Sequence, residues 1–132
     1  MATPTTGEPG TPLYLTTGTY GSWTVITLRG ELDLDTAPRL EAEAQAAVQD
    51  VEVPRLALDL EHLEFCDSSG LAAFVRIWRM VHGGAGDFVL LRPRPDLMRW
   101  LQITGLYSRI PVTDDLTDTE RGENIAGSLT SA

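Results

Sequence analysis

The sequence has no lysine, only one cysteine and no long apolar run. A single thiol, Cys66, excludes an internal disulfide and any metal site built from several thiolates. No stretch reaches the roughly 18 apolar residues of a membrane span. Residues 1–12 have neither the basic start nor the apolar core of a secretory signal. We therefore expect a cytoplasmic protein that does not bind to membranes.

Positive charge is also scarce, because 10 cationic residues stand against 19 acidic ones and the net charge is -9. Nucleic acids and anionic membranes both require a basic surface, so neither is expected as a partner. An acidic surface favours solubility and partners with basic surfaces. A chain of 132 residues with 42% hydrophobic content suits one domain with its own core.

Apolar periodicity predicts strands that alternate with helices. The predicted strands are 13–20, 23–29, 55–60, 88–91 and a possible edge strand, 110–112. Helices are predicted to begin at Thr36, at the Asp67–Gly70 turn and at Pro95. This order, β-β-α-β-α-β-α with a possible final strand, predicts an α/β fold with a largely parallel sheet. The domain is expected to span residues 13–115, between disordered tails at 1–12 and 116–132.

Two loops are expected at the carboxyl ends of the strands, where sites gather in such sheets: Gly30–Asp35 and Glu61–Ser69. The second contains the turn Asp67-Ser68-Ser69-Gly70. Asp67 or Ser68 can cap the next helix, which leaves Ser69 in its first turn. A phosphate on Ser69 would lie at the positive end of the helix dipole, and its charge would repel an acidic partner. A plain helix start explains the same four residues, and the turn alone does not decide between these readings.

A catalytic role for Ser69 is disfavoured. A hydrolase elbow has the pattern G-x-S-x-G, whereas position 67 is Asp. A triad also needs a placed histidine. His82 lies about three to four helical turns away, and His62 is interpreted as a solvated loop residue. The protein is therefore not expected to be an enzyme.

Other local features have structural explanations. The acidic residues between Asp59 and Asp67 do not follow calcium-loop spacing, so they predict a solvated rim and no metal site. Cys66 is expected to be a small buried hydrophobe. Trp78 and Trp100 are predicted to point inward from their helices, and Gly83-Gly84 is predicted to end the second helix.

Three segments carry a family resemblance: GELDLDTAPRL (Gly30–Leu40), LALDLEHLEFCDSSGLAAF (Leu56–Phe74) and DLMRWLQITGLYSRIPV (Asp96–Val112). In order and spacing the chain resembles the STAS domain of bacterial anti-sigma factor antagonists. The resemblance implies a four- to five-stranded mixed sheet backed by helices. It also implies that the unphosphorylated protein binds an anti-sigma factor serine/threonine kinase and frees a sigma factor. Phosphorylation then breaks this complex, and a PP2C-type phosphatase restores it.

The resemblance places the phosphate on Ser69 and requires no cofactor. Asp33 matches the family's GELD aspartate near the phosphorylated serine, and Asp67 precedes the serine pair. The expected partner surface comprises Asp33, Leu34, Thr36, Asp67, Ser68, Gly70 and Leu71. The protein is expected to be a monomer or a weak homodimer. The alternative is a STAS scaffold or sensor subunit that docks constitutively or binds a nucleotide or another small ligand.

Overall fold

The computed structural model describes residues 12–117. Its strands are β1 (Leu13–Tyr20), β2 (Trp23–Leu32), β3 (Arg55–Cys66), β4 (Asp87–Leu91) and β5 (Val112–Thr113). Its α-helices are α1 (Ala37–Val48), α2 (Ser68–Gly83) and α3 (Pro95–Ile103), followed by a 3-10 helix at Leu106–Ser108. The predicted tails, 1–12 and 116–132, lie outside the described residues except for positions 12, 116 and 117.

The sheet follows chain order, β1-β2-β3-β4-β5. The β1–β2 hairpin is antiparallel, and every later pair is parallel. This is the mixed, helix-backed sheet that the sequence resemblance implies. The last strand starts at Val112, two residues later than predicted, and it lies at the sheet edge as predicted.

The main core lies between the sheet and the helices. Alternate residues of β3, Leu56, Leu58 and Leu60, are fully buried there. They share one apolar cluster with the buried faces of all three α-helices. Each element therefore buries one apolar face, whose residues recur every two positions in a strand and every three to four positions in a helix. Arg76 of α2 also pairs with Glu41 of α1 through two hydrogen bonds of 3.0 and 2.7 Å.

A smaller apolar cluster forms away from this main core. Trp23, Ala57, Val89, Leu91 and Leu116 are buried in it. Leu116 is only 4% exposed, so the packed domain continues past residue 115, where the sequence predicted that a disordered tail begins. Burial against strands of this sheet keeps the polar segment around Leu116 in place.

Both strands that lead to the predicted site loops are longer than predicted. β2 continues through Gly30 to Leu32, and β3 continues to Cys66. The extra residues pair with one another in parallel, with register shifts after Thr27 and Gly30. These irregularities break the period-two alternation, which is why the pattern resembles a loop. His62 accordingly lies in β3 and not in a loop.

Two details of the helices also differ from prediction. Trp100 was expected to point inward from α3, but it is 52% exposed, whereas Leu97 and Leu101 are buried. The helix α2 ends at Gly83 as predicted, but the left-handed residue after it is Ala85, with φ of 61°. The amides of Ala85 and Gly86 donate to the carbonyls of His82 and Val81, which is the Schellman pattern.

Candidate functional site

The shortened loops that follow β2 and β3 meet at the carboxyl ends of these strands. Leu32 and Cys66, the last residues of these strands, are paired in register. The Asp67 amide donates to the Leu32 carbonyl across 3.2 Å, which ties the turn before α2 to the end of β2. Asp33 and Asp67 therefore follow directly from adjacent strand ends.

Asp67 caps α2. Its backbone is extended, with φ of -97° and ψ of -170°. One carboxylate oxygen accepts from the Ser69 amide at 2.8 Å and from the Gly70 amide at 3.1 Å. Two of the four unpaired amides of the helix start are thus satisfied by a single side chain. Of the two cap candidates that the sequence offered, the structure selects Asp67.

The two serines occupy the first two positions of α2. Ser68 is exposed and Ser69 is half-buried. Within residues 12–117 the Ser69 hydroxyl has no hydrogen-bond partner. The Asp67 carboxylate thus holds the Ser69 backbone amide and makes no hydrogen bond to the Ser69 hydroxyl.

Gly70 lies where a side chain does not fit. A Cβ atom there would be 2.5 Å from the Cys66 Sγ and 2.9 Å from the Leu32 side chain. Gly70 is buried, and its role in the structure is to let α2 start close against the ends of β2 and β3. Its contact with a partner stays a prediction. The close approach fixes the position of the serines relative to the sheet.

The loop between β2 and α1 is ordered by Asp33. One Asp33 carboxylate oxygen accepts from the amides of Asp35 and Thr36, both at 3.0 Å. The Thr36 hydroxyl accepts from the Asp33 amide at 2.8 Å and reaches the Glu31 carbonyl at 3.0 Å. Thr36 is the residue before α1, as predicted, but its side chain makes no cap bond to that helix. It braces the loop instead.

The two leucines of the expected partner surface differ in exposure. Leu34, in the β2–α1 loop, is 73% exposed. Leu71, in the first turn of α2, is partly buried and packs against the main core. Leu34 therefore offers the larger apolar area to a partner on this surface.

Cys66 lies in a setting that favours its protonated thiol. Burial, followed by the nearby Asp67 charge, raises the pKa of its thiol to about 12. A thiolate is the reactive form, so Cys66 stays protonated at neutral pH, in agreement with its interpretation as a small hydrophobe.

The sequence did not predict a groove beside this site, which is lined by apolar and charged side chains. It lies between the end of β3 and α3, has a volume of about 510 Å³, and includes Cys66 in its lining. Phe65, Trp100 and Ile103 line it and are roughly half exposed or more. Trp100 lies three residues after buried Leu97, so helical periodicity alone could not show that its side chain is exposed. The only sequence signal of the groove was the break in strand alternation around Phe65.

Comparisons with known proteins agree on one family. A sequence profile of the STAS domain matches residues 14–119. An anti-sigma F factor antagonist of Lysinibacillus sphaericus is 32% identical over 103 residues, which are 78% of this chain and 86% of that protein. The crystal structure of an anti-sigma factor antagonist from Mycobacterium paratuberculosis superposes with a TM-score of 0.71 at 29% identity, covering 81% of this chain and 90% of that one.

A further structural relative is the Bacillus cell fate determinant SpoIIAA in its phosphorylated form. It superposes with a TM-score of 0.63 at 26% identity, covering 83% of this chain and 98% of that chain. In the part of this chain that the structure describes, no helix is both long and apolar enough to cross a bilayer.

Proposed function

We propose that this chain, which belongs to the STAS-domain family, is an anti-sigma factor antagonist that is switched by phosphorylation of Ser69. The relatives reported above are anti-sigma factor antagonists. The unphosphorylated protein binds an anti-sigma factor that is also a serine kinase, and the sigma factor is released. The kinase transfers the γ-phosphoryl group of ATP to the Ser69 oxygen, which loses its proton, and ADP leaves. The complex then dissociates, and a metal-dependent phosphatase of PP2C type hydrolyses the phosphoester.

The observation that carries this proposal is the position of the Ser69 hydroxyl. It lies in the first turn of α2, where it has no partner among residues 12–117. The backbone beneath it is fixed by Asp67 and by the close packing of Gly70. A kinase can therefore approach a hydroxyl that is held in place and whose modification breaks no hydrogen bond of the described fold.

Charge provides the reason why a phosphate would release the partner. A phosphate adds about -1.5 to -2 charges at neutral pH. The amides of Ser69 and Gly70 are already occupied by the Asp67 carboxylate. The new charge would thus join an acidic side chain and would lie close to the Asp33 loop, which the Asp67–Leu32 hydrogen bond holds nearby. A partner that fits the neutral hydroxyl would face several negative charges after the reaction.

The relatives support the same proposal. The curated relatives are named for antagonism of anti-sigma factors, and SpoIIAA of Bacillus has been solved in a phosphorylated form. Those statements concern those proteins, and the transfer to this chain rests on the shared domain and fold.

The test begins with protein isolated from its native cells in several growth states, followed by intact mass measurement and site mapping. We expect one added phosphate, on Ser69. Each anti-sigma factor kinase of the source organism is then incubated with ATP and Mg²⁺ and with wild type, Ser69→Ala or Ser68→Ala protein. Phosphate incorporation should be lost in Ser69→Ala and kept in Ser68→Ala, the matched control one residue away.

Binding completes the test. Ser69→Ala should bind the kinase stably in the presence of ATP, and Ser69→Asp should bind weakly. Equal binding by both variants and wild type would overturn the switch and would favour constitutive docking. Phosphate on Ser68 in place of Ser69 would overturn the assignment of the residue.

A further inference from the structure

The groove beside the site is lined by large apolar side chains that are exposed to solvent, as at an interface without its partner. Phe65, Trp100 and Ile103 are 49%, 52% and 65% exposed, although each has an apolar side chain and all three line the same depression. Contiguous exposed apolar surface of this kind marks interaction sites more often than chance placement does. Trp and Phe together with Arg are also the residue types enriched at protein interfaces, and Arg94 and Arg99 flank the same groove.

One wall of the groove is an open strand edge. The last pair between β3 and β4 is Asp59 with Leu91, whereas β3 pairs with β2 as far as Cys66. Residues 63–66 of β3 thus have a partner strand on one side only, within the part of the chain described here. Their other side faces the groove and α3. An edge of this kind can accept an extended segment from another chain.

The charge of the groove indicates what kind of segment fits. Its lining includes Arg94 and Arg99, and also Glu64 and Asp96, so the lining charges cancel. Neither arginine forms an ion pair with another residue of the range 12–117. In a chain with a net charge of -9, a groove whose lining charges cancel and whose exposed side chains include Phe65, Trp100 and Ile103 suits a mainly apolar segment better than a strongly basic one.

The groove is continuous with the proposed phosphorylation site. Cys66 lines the groove and also lies directly under Gly70, the glycine of the turn. A partner that covers Ser69 therefore reaches the groove by extending past the end of β3, without a gap.

We propose that this groove is a second contact surface for the anti-sigma factor, which places an apolar segment between the edge of β3 and α3 while it covers the Ser69 turn. The inference rests on the proposed function. In this arrangement the groove supplies binding energy that is independent of phosphorylation, and the Ser69 turn determines release. Loss of the groove contacts should weaken binding of the unphosphorylated protein and should also lower the efficiency of its phosphorylation.

The experiment uses full-length Trp100→Ala and Phe65→Ala proteins and the anti-sigma factor that binds the unphosphorylated wild type. Tyr14→Ala is the matched control, because Tyr14 is an exposed aromatic residue of β1 that does not line the groove. We expect each groove variant to bind about 30-fold more weakly, the threshold effect of an interface hot spot, and Tyr14→Ala to bind like wild type. Thermal unfolding confirms that each variant is folded, which is expected because both side chains are about half exposed.

The outcomes separate this inference from the proposed function. If Ser69→Asp loses binding while Trp100→Ala and Phe65→Ala match Tyr14→Ala, the switch stands and the groove inference is wrong. If no anti-sigma factor binds the unphosphorylated wild type, the proposed function fails and the inference fails with it. If sedimentation equilibrium shows a wild-type dimer that Trp100→Ala dissociates, the groove binds a second copy of this chain, and the inference is again overturned.

Discussion

Replacement of Asp67 by alanine should destabilise the protein measurably, because the Asp67 side chain caps α2. Its side chain accepts from the amides of Ser69 and Gly70, at 2.8 and 3.1 Å. Alanine would leave both amides without this acceptor. The Asp67 amide bond to Leu32 belongs to the backbone and would remain in the variant.

The magnitude follows from two separable contributions. Loss of an N-cap acceptor costs about 1 kcal/mol. Loss of a negative charge at a helix N-terminus costs about 0.3–1 kcal/mol. We therefore expect Asp67→Ala to lower the free energy of unfolding by about 1.5 kcal/mol, which for a domain of this size lowers the melting temperature by roughly 5–7 °C. Asp67→Asn keeps an acceptor oxygen and loses only the charge, so it should cost about 0.3–1 kcal/mol.

Urea unfolding followed by circular dichroism provides the measurement. Glu52→Ala is the control, since it removes one carboxylate from an exposed loop and should change stability little. The expected order of stability is wild type and Glu52→Ala, then Asp67→Asn, then Asp67→Ala. Equal stability of Asp67→Ala and wild type would refute the capping argument. Equal loss in Asp67→Asn and Asp67→Ala would show that charge, and not the hydrogen bonds, stabilises this helix start.

Three further predictions concern the same helix and its surroundings. Ala85→Gly should raise the free energy of unfolding by about 1 kcal/mol, because Ala85 has a φ of 61° that glycine adopts without strain; an unchanged melting temperature would contradict this. Gly70→Ala should cost about 1–3 kcal/mol through the clash with Cys66 and Leu32. Part of that loss should disappear in a Cys66→Ala background, and a double-mutant cycle without coupling would argue against the clash. Burial raises the pKa of the Cys66 thiol to about 12. Cys66 should therefore resist alkylation by N-ethylmaleimide at mildly alkaline pH in the native protein and should react once the protein is unfolded in urea. Fast labelling of the native protein would show that the thiol is accessible.

The parts of the fold that local pattern determines were predictable. The alternation of Leu56, Leu58 and Leu60 predicted a central strand, and all three are buried. The turn at Asp67 predicted a capped helix, because capping depends on residues only two or three positions apart. Such features need no knowledge of distant contacts.

The parts that depend on distant contacts were not predictable in the same way. β2 and β3 continue to Leu32 and Cys66 because they pair with each other, and their register shifts hide the alternation. Trp100 has the spacing of a core residue, but it lines the groove and is 52% exposed, which the period of α3 alone does not reveal. Leu116 is held by a cluster of strand residues that no local period could reveal.

The contacts around the turn separate the support of the fold from the group proposed to be modified. Asp67 satisfies the amides of Ser69 and Gly70, and Gly70 packs closely against the ends of two strands. If the Ser69 hydroxyl itself capped the helix, phosphorylation would remove a bond of the fold and would be coupled to local unfolding. Because Asp67 has that role, a phosphate on Ser69 would change the charge of the surface while the backbone stays in place. Such a group can be added and hydrolysed repeatedly without refolding, which is the physical requirement for a reversible switch at this position.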